Sequence, residues 1–497
     1  MQFLKPSQID HTEKLISILG DSFFACDFSV MGAGKTYVAN AIGIELDLPL
    51  FVLSVRGSLG TWEKVGDDMD EKLGRKACTN VIFTSTYESF RSVTNCQPKH
   101  GWLTRKDTAN GAIFEPTKEL KERAKSGMLF VIDECQKIKN NSDQTNAVKA
   151  VIDEIIQANS RSRILLLSGT PFEDTDMAVN FYRTIGFINQ TKLYDIRNGE
   201  FVSLGLEELI GNLDFFQPDQ TEDLIKKYHP FVRDNVRAFV FESFTEIIVP
   251  YFSSAMPSPT VDAKKDVGNG YYLFKGPTAA KNLAALEEAI AELKSASSYN
   301  PDNQTVGDKK NLGQITKALV KIEKAKVPLF VRIVKEELDK DQNSKVILFV
   351  NYRETIADVY AALKNYFPLI YDGSVTSRKK EEAIIEAFNQ GDYRLLIANL
   401  RKGGISISLH DTVGNSPRKS FISPNYSILD MHQASSRTYR QNTKSDVTVR
   451  IVYGQASLES KILDALARKT ENLKQILKLQ AEEGILFPGE YPEYHNL

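Results

Sequence analysis

An apolar run, Phe23-Phe24-Ala25-Cys26-Asp27-Phe28, empties into Met31-Gly32-Ala33-Gly34-Lys35-Thr36, and an amphipathic stretch over Thr36–Leu46 follows at once. A buried strand, a glycine turn and a helix in immediate succession suit a parallel α/β sheet and little else. In such a turn Gly34 lets backbone amides close on phosphates at a helix N-terminus, with Gly32 and Ala33 completing the loop. Lys35 is then placed to reach the β- and γ-phosphates of ATP, and the Thr36 hydroxyl to hold Mg²⁺. The full pattern wants a glycine at position 29, where the chain has Ser29. The competing reading is a glycine turn before an ordinary helix.

The rest of the chain repeats the rhythm. LFVLS from Leu50, VIFT from Val81, MLFVID from Met128 and RILLLSGT from Arg163 read as buried strands, with Ser142–Gln157 among the helices between them. After Ser344 it returns: KVILFV, FPLIYD, YRLLIAN, KSFIS and VTVRIVY alternate with helical Glu354–Asn365 and Arg378–Asn389. The expected organisation is a first α/β lobe over 1–185, and a helical protrusion and interlobe connection over 186–312. A second lobe over 313–456 and a helical brace and tail over 457–497 complete it. Within the connection, Thr221–Tyr228 and Thr278–Lys294 carry helical patterns, while Ser253–Gly270 and Ser295–Asp308 read as loops. Apolar residues at helical spacing between Ser457 and Glu483 predict a long bracing helix.

Composition narrows the function classes. The chain has 497 residues, 42% hydrophobic and 25% charged, a globular balance that excludes disordered, collagen-like and coiled-coil proteins. Its apolar runs are strand-length, no basic-then-apolar leader follows Met1, and Cys26, Cys78, Cys96 and Cys135 form no CxxC pair. A soluble, intracellular protein without membrane partners is expected. Lys and Arg total 62 against 64 Asp and Glu, so a blanket electrostatic grip on nucleic acid is absent and any such site must be a local patch. Lys317, Lys321 and Lys324 share one helical face, with Lys309, Lys310 and Lys326 nearby. They read either as phosphate contacts or as a solvated face.

Further residues carry chemistry. Asp133-Glu134 closes the strand MLFVI: Asp133 fits a Mg²⁺ ligand, directly or through water, and Glu134 the base that orients an attacking water; a helix cap is the alternative. Cys135 after them fits an inert small-residue position. Ser168-Gly169-Thr170-Pro171 ends the next strand, where hydroxyls can couple a triphosphate site to movement; a plain turn is the alternative. Arg401-Lys402-Gly403-Gly404 is a glycine-rich turn suited to close backbone approach. Gln433, Arg437 and Arg440 fall on one helical face at i, i+4 and i+7, where arginines can neutralise transition-state charge; a solvated basic face is the alternative.

Together these residues resemble a superfamily-two helicase, and within that group the Swi/Snf-type ATPases and their bacterial and viral relatives. DECQKIKN from Asp133 resembles the group's extended DEAH/DEAQ-x-IKN motif. LKPSQ with Gln8 resembles the adenine-reading motif, SLGTW with Trp62 and TSTYE with Thr84 the two motifs after the second and third strands. SGTP, ILFVNY with Asn351, IYDGSVTSRKK, RKGGISISL and QASSRTYRQ follow in family order. Ser29-Val30 replaces the usual Asp-Glu, Ser406 a glycine, and Gln441-Asn442-Thr443 the usual Ile-Gly-Gln. PFVRDNVRAFV from Pro230 keeps only Arg233 of the family's arginine pair.

The resemblance implies two RecA-like lobes, with ATP and Mg²⁺ held by Gln8, Gly32, Ala33, Gly34, Lys35, Thr36 and Asp133. Glu134, Gln433, Arg437 and Arg440 would be catalytic, and Gln136, Ser168, Thr170, Gly403 and Gly404 would couple hydrolysis to movement. Trp62, Thr84, Asn351 and Lys402 would face nucleic acid. The expected activity is that of a monomeric, nucleic-acid-stimulated ATPase translocating on double-stranded DNA, with RNA or single-stranded DNA as other substrates. A strand-separating helicase and an ATP-switched nucleic-acid scaffold are the alternatives.

Overall fold

The computed structural model describes residues 4–74, 81–109, 111–138, 140–169, 175–257, 261–295, 312–404, 407–425 and 427–454. They divide into two compact units, the first running to Pro257 and the second starting at Val261. Among the described residues no helix is long and apolar enough to cross a membrane.

The first unit contains β1 (Phe24–Asp27), β2 (Leu50–Ser54), β3 (Val81–Thr86), a hairpin of β4 (Leu103–Thr108) and β5 (Gly111–Pro116), β6 (Leu129–Asp133) and β7 (Arg163–Leu167). A second hairpin, β8 (Tyr194–Arg197) and β9 (Glu200–Ser203), precedes the two-residue β10 (Ser253–Ser254). Six strands form one parallel sheet in the order β10-β1-β7-β6-β2-β3. β1, β2 and β6 are buried along their whole length, as a sheet covered on both faces requires. Parallel strands need crossovers, so their carboxyl ends all reach one edge of the sheet, and ligand-binding loops collect there.

The second unit holds β11 (Lys265–Tyr272), β12 (Lys345–Val350), β13 (Leu369–Tyr371), β14 (Leu395–Asn399), β15 (Arg418–Ile422) and β16 (Val447–Gly454). They form a second parallel sheet, ordered β11-β16-β15-β12-β14-β13. Helices Arg353–Leu363 and Arg378–Gln390 lie where the sequence places them. The α/β class with two parallel-sheet units is thus as expected.

The region between the lobes differs from expectation. Part of Ser253–Gly270, read as loop, is strand: β10 extends the first sheet beside β1, and β11 extends the second beside β16. Two glycines in β11, Gly268 and Gly270, hide its strand character, because a Gly-rich edge strand lacks the alternation that marks others. The unit boundary accordingly falls within the expected 186–312 connection. Helices Pro218–Tyr228 and Ala279–Ser295 match their patterns. The expected loop over 295–308, apart from Ser295, and the bracing helix after Ser457 lie outside the described residues.

Candidate nucleotide site

After β1 the chain turns through Gly32 (φ 83°) and Gly34 (φ 101°) before helix Lys35–Glu45. That helix has no side-chain cap at its start, so its first amides keep their donors for an anion. The φ of Gly34 is one that side chains rarely adopt, and a Cβ there would also displace the Gln8 amide, from whose Nε2 it would lie 2.2 Å. Gln8 Nε2 donates to the Ala33 carbonyl (3.2 Å), which places this glutamine on the loop as expected. Lys35 Nζ donates to the carbonyls of Ser29 (2.8 Å) and Val30 (3.3 Å) and so lies within the loop.

Ser29 fits because its side chain points into the protein. Its Oγ accepts the Met256 amide (2.8 Å), and its amide donates to Asp27 Oδ1 (2.9 Å). Asp27 is fully buried with its Oδ2 3.1 Å from His11 Nε2. Burial alone would raise the Asp27 carboxyl. The histidine, the Lys35 charge and Ser29 outweigh it and hold the group below the usual carboxylate range.

Asp133 ends β6 as read from the sequence. Its Oδ2 accepts both the Ser54 hydroxyl (2.6 Å) and the Trp62 indole N–H (3.1 Å), and Tyr87 donates to its carbonyl (2.7 Å). Burial, and then the adjoining Glu134, push its carboxyl up to about 6, against the pull of Ser54, Trp62 and Lys35. Glu134 follows in left-handed backbone (φ 57°), a conformation costing about 1 kcal/mol or more outside glycine and typical of functional turns. Its Oε2 accepts Gln136 Nε2 (2.5 Å), and Gln136 Oε1 in turn accepts the Ser168 hydroxyl (2.7 Å). Glu134, Gln136 and Ser168 therefore form one side-chain relay across the ends of β6 and β7. Cys135 is buried, and burial raises its thiol far above the usual range, which suits the inert position expected. Thr170 lies outside the described residues.

Trp62 requires a correction. It is only 2% exposed, packed in the first unit's core on helix Arg56–Leu73, so it is not a surface contact for nucleic acid. Trp62, Val65 and Met69 fall at i, i+3 and i+7, an apolar helical face that marks the ring as inward, and the motif resemblance had overridden it. Thr84 is half-buried within β3, opposite Val52. Ser54 and Tyr87, which hold Asp133, were not singled out. Their signal was available in the polar residue closing LFVLS and in the tyrosine of TSTYE.

In the second unit the helix carrying Gln433 ends at Ser435, so Arg437 and Arg440 do not continue its face. They converge nevertheless: Arg437 Nη1 (3.5 Å) and Arg440 Nη2 (2.9 Å) both reach the Ile407 carbonyl. Arg437 Nε also donates to the Gln433 carbonyl (3.0 Å), and the Arg437 carbonyl accepts the Leu409 amide (2.9 Å). Gln433 and Arg437 are both buried. Gly403 and Gly404 serve close packing: a Cβ on Gly403 would meet Phe349 at 2.9 Å, and one on Gly404 the Leu400 carbonyl at 2.7 Å and the Asp430 carbonyl at 3.3 Å.

Asn351 is a hub for the loops after β12, β14 and β15. Its amide and Nδ2 donate to the buried Glu323 Oε1 (both 2.8 Å), its carbonyl accepts Asn399 Nδ2 (2.8 Å), and its Oδ1 accepts Asn425 Nδ2 (3.3 Å). Lys402 pairs with Glu381 (2.8 Å) and lies over the Tyr371 ring, so its charge is already matched within the unit. The lysine face is similarly compensated, with Lys321 on Glu292 (2.6 Å) and Lys324 on Asp358 (3.1 Å), while Lys326 is buried. Those pairs favour the solvated-face reading. Lys309 and Lys310 lie outside the described residues.

Residues 329–442, the core of the second unit, match the family model of the helicase conserved C-terminal domain. Over 490 residues, 95% of this chain and 83% of the relative, the sequence is 27% identical to a protein of Acanthamoeba polyphaga mimivirus provisionally described as an ATP-dependent RNA helicase. A stretch of 175 residues, 35% of this chain and 10% of the relative, is 22% identical to an ATP-dependent helicase of Saccharomyces cerevisiae. Two parallel-sheet units, the C-terminal helicase match in the second and helicase relatives along the chain support a helicase-type, ATP-hydrolysing enzyme.

Proposed function

We propose that the chain is an ATP-driven motor that steps along double-stranded DNA without parting its strands. The observation that carries this reading is the Glu134–Gln136–Ser168 relay beside the doubly bonded Asp133. Glu134 and Gln136 of that relay lie in DECQKIKN, whose extension resembles that of Swi/Snf-type motors, and Ser168 lies in SGTP.

Lys35 and the amides opening helix Lys35–Glu45 bind the phosphates of ATP, while Gln8, on the loop's flank, meets the base. The donor set suits Mg²⁺: Thr36 offers a hydroxyl in the first helical turn, and Asp133 an Oδ1 with no hydrogen-bond partner among the described residues. When bound, Mg²⁺ would draw charge from the β- and γ-phosphate oxygens. Glu134, oriented by Gln136, accepts the hydrogen bond of the attacking water and aligns it with the γ-phosphorus. Arg437 and Arg440 offset the charge that develops on the phosphoryl oxygens. Asn351 and Thr84 would meet a nucleic-acid backbone gripped without base readout, and Lys402 would join them only by leaving Glu381.

A second reading, a strand-separating RNA helicase, is favoured by the mimivirus relative, which aligns along nearly the whole chain. ATP hydrolysis measured with duplex DNA, single-stranded DNA and RNA side by side separates the two, together with third-strand displacement from a triplex and unwinding of a forked duplex. Triplex displacement without fork unwinding is expected. Efficient fork unwinding, or stimulation by RNA alone, overturns the duplex reading. Hydrolysis that no nucleic acid stimulates would promote the ATP-switched scaffold.

A further inference from the structure

Asp133 is held by only one of its carboxylate oxygens. Ser54 and Trp62 both bond Oδ2, from the end of β2 and from the following helix, and Oδ1 has no hydrogen-bond partner among the described residues. A carboxylate at a strand end turns freely about its last torsion unless donors fix it. Two donors on one oxygen, converging from different elements, fix both its rotation and its depth. We infer that Trp62 is a positioning residue for the divalent cation that accompanies the nucleotide: with Ser54 it holds Asp133 by Oδ2 and so reserves Oδ1 for that cation. The inference rests on the nucleotide-site reading above and adds to it the residue that sets cation affinity.

The indole is suited to this task. It donates one hydrogen bond and accepts none, so it cannot compete for the cation. It is 2% exposed and packed in a core that includes Val52, Leu129 and Val131, so its N–H has little freedom to leave Asp133. Bonds to an ionised oxygen are about twice as strong as neutral ones, and loss of such an outer-shell donor typically costs 10–100-fold in metal affinity.

The test is Trp62→Phe, which keeps an aromatic ring in the core and removes only the donor. Calorimetry should show binding of ADP with Mg²⁺ weakened about tenfold or more, while binding of ADP in EDTA is unchanged. A second readout needs no substitution in the folded protein. The chain has two tryptophans, Trp62 and Trp102, so fluorotryptophan labelling gives two fluorine resonances. One of them should shift on addition of Mg²⁺ with ADP and not with ADP in EDTA, and that resonance should be missing from Trp62→Phe. If Trp62→Phe does not fold, Ser54→Ala removes the other Oδ2 donor and carries the same binding comparison. Wild-type Mg²⁺ dependence in the variant that folds, or a resonance that shifts equally in EDTA, overturns the inference. Lys35→Ala keeps the two questions apart. If it abolishes nucleotide binding while Trp62→Phe binds as wild type, only the role of Trp62 falls; if Lys35→Ala binds normally, the nucleotide-site reading itself falls.

Discussion

The acidic pair of the first unit and the arginine pair of the second are held by different means. In the first, side chains hold side chains: Ser54 and Trp62 hold Asp133, and Gln136, bonded by Ser168, holds Glu134. In the second, backbone holds side chains: the Ile407 carbonyl receives both Arg437 and Arg440, and the Gln433 carbonyl receives Arg437 again. A site built from side chains depends on residue identity at many positions. One built on carbonyls depends on the path of the chain, which many sequences can follow. The first kind leaves a signature in the sequence and the second leaves little.

The sharpest way to break this contrast is to remove the group on which the first unit's site centres. Lys35→Ala should abolish detectable ATP binding by calorimetry, because no other ammonium bonds this loop among the described residues. Unchanged affinity would sink the assignment. Glu134→Gln should bind ATP normally and lower kcat by about 10³-fold, in the middle of the range for losing a general base. Turnover at the wild-type rate would mean that the relay orients nothing. Arg440→Ala should also lower kcat by ~10³-fold with ATP affinity little changed. If it lost affinity and kept kcat, the arginine would be a ground-state binding group like Lys35, and the two units would not differ in role.

Acid should separate the units next. Burial first, then Lys265 and Arg437, push His432 down to about 3, and burial with Arg440 and Arg418 pushes His410 down to about 4. These rings stay neutral in the fold while the unfolded chain protonates below about 6.5, so their contribution to stability is complete above that pH and lost as pH falls toward the folded values. For His432 alone the loss reaches about 2–3 kcal/mol near pH 4.5. In the first unit His100 is shifted the same way by burial, less strongly. Both tryptophans belong to the first unit, so on acidification far-ultraviolet circular dichroism should change before tryptophan emission does. Emission changing first would reverse the order of stability.

The smallest effects test the contrast most directly. Gln136→Ala, which cuts the relay, should lower kcat about tenfold through loss of a hydrogen bond to a charged group. Ile407→Val keeps the carbonyl that gathers the arginines and should change kcat less than about twofold, since a buried Ile→Val swap costs only ~1 kcal/mol of stability. A tenfold loss from Ile407→Val would show that the second site depends on side chains after all.

This contrast also explains what the sequence disclosed. The loop after β1 was legible because Gly32 and Gly34 are required by its backbone geometry, and Asp133 and Ser168 because polar residues follow buried strands there, with a helix cap or a plain turn as the competing account; Glu134 and Gln136 came with the motif that the resemblance carries. The strands of both sheets were legible from apolar runs. The end of the helix at Ser435 was not, since nothing in Ser-Ser-Arg-Thr-Tyr-Arg breaks a helix, and the chain turns there to satisfy its tertiary surroundings. The outward assignment of Trp62 rests on the motif resemblance, against the i, i+3, i+7 spacing of Trp62, Val65 and Met69 that marks an inward face. The hairpin of β4 and β5 alternates only in part, burying Leu103 and Arg105 on one strand and Ala112 and Phe114 on the other, and a buried arginine hides that pattern in the sequence.

The amide of Met256 bonds Ser29, at the mouth of a loop more than two hundred positions earlier, and the adjacent β10 completes the sheet beside β1. The first unit of this chain is therefore not a contiguous module that ends where its recognisable motifs end. A gene fragment cut after Thr184 would carry the nucleotide motifs and lack the strand and amide that seat them. Recombination that exchanges the halves of such proteins should preserve function only when the junction falls beyond Met256.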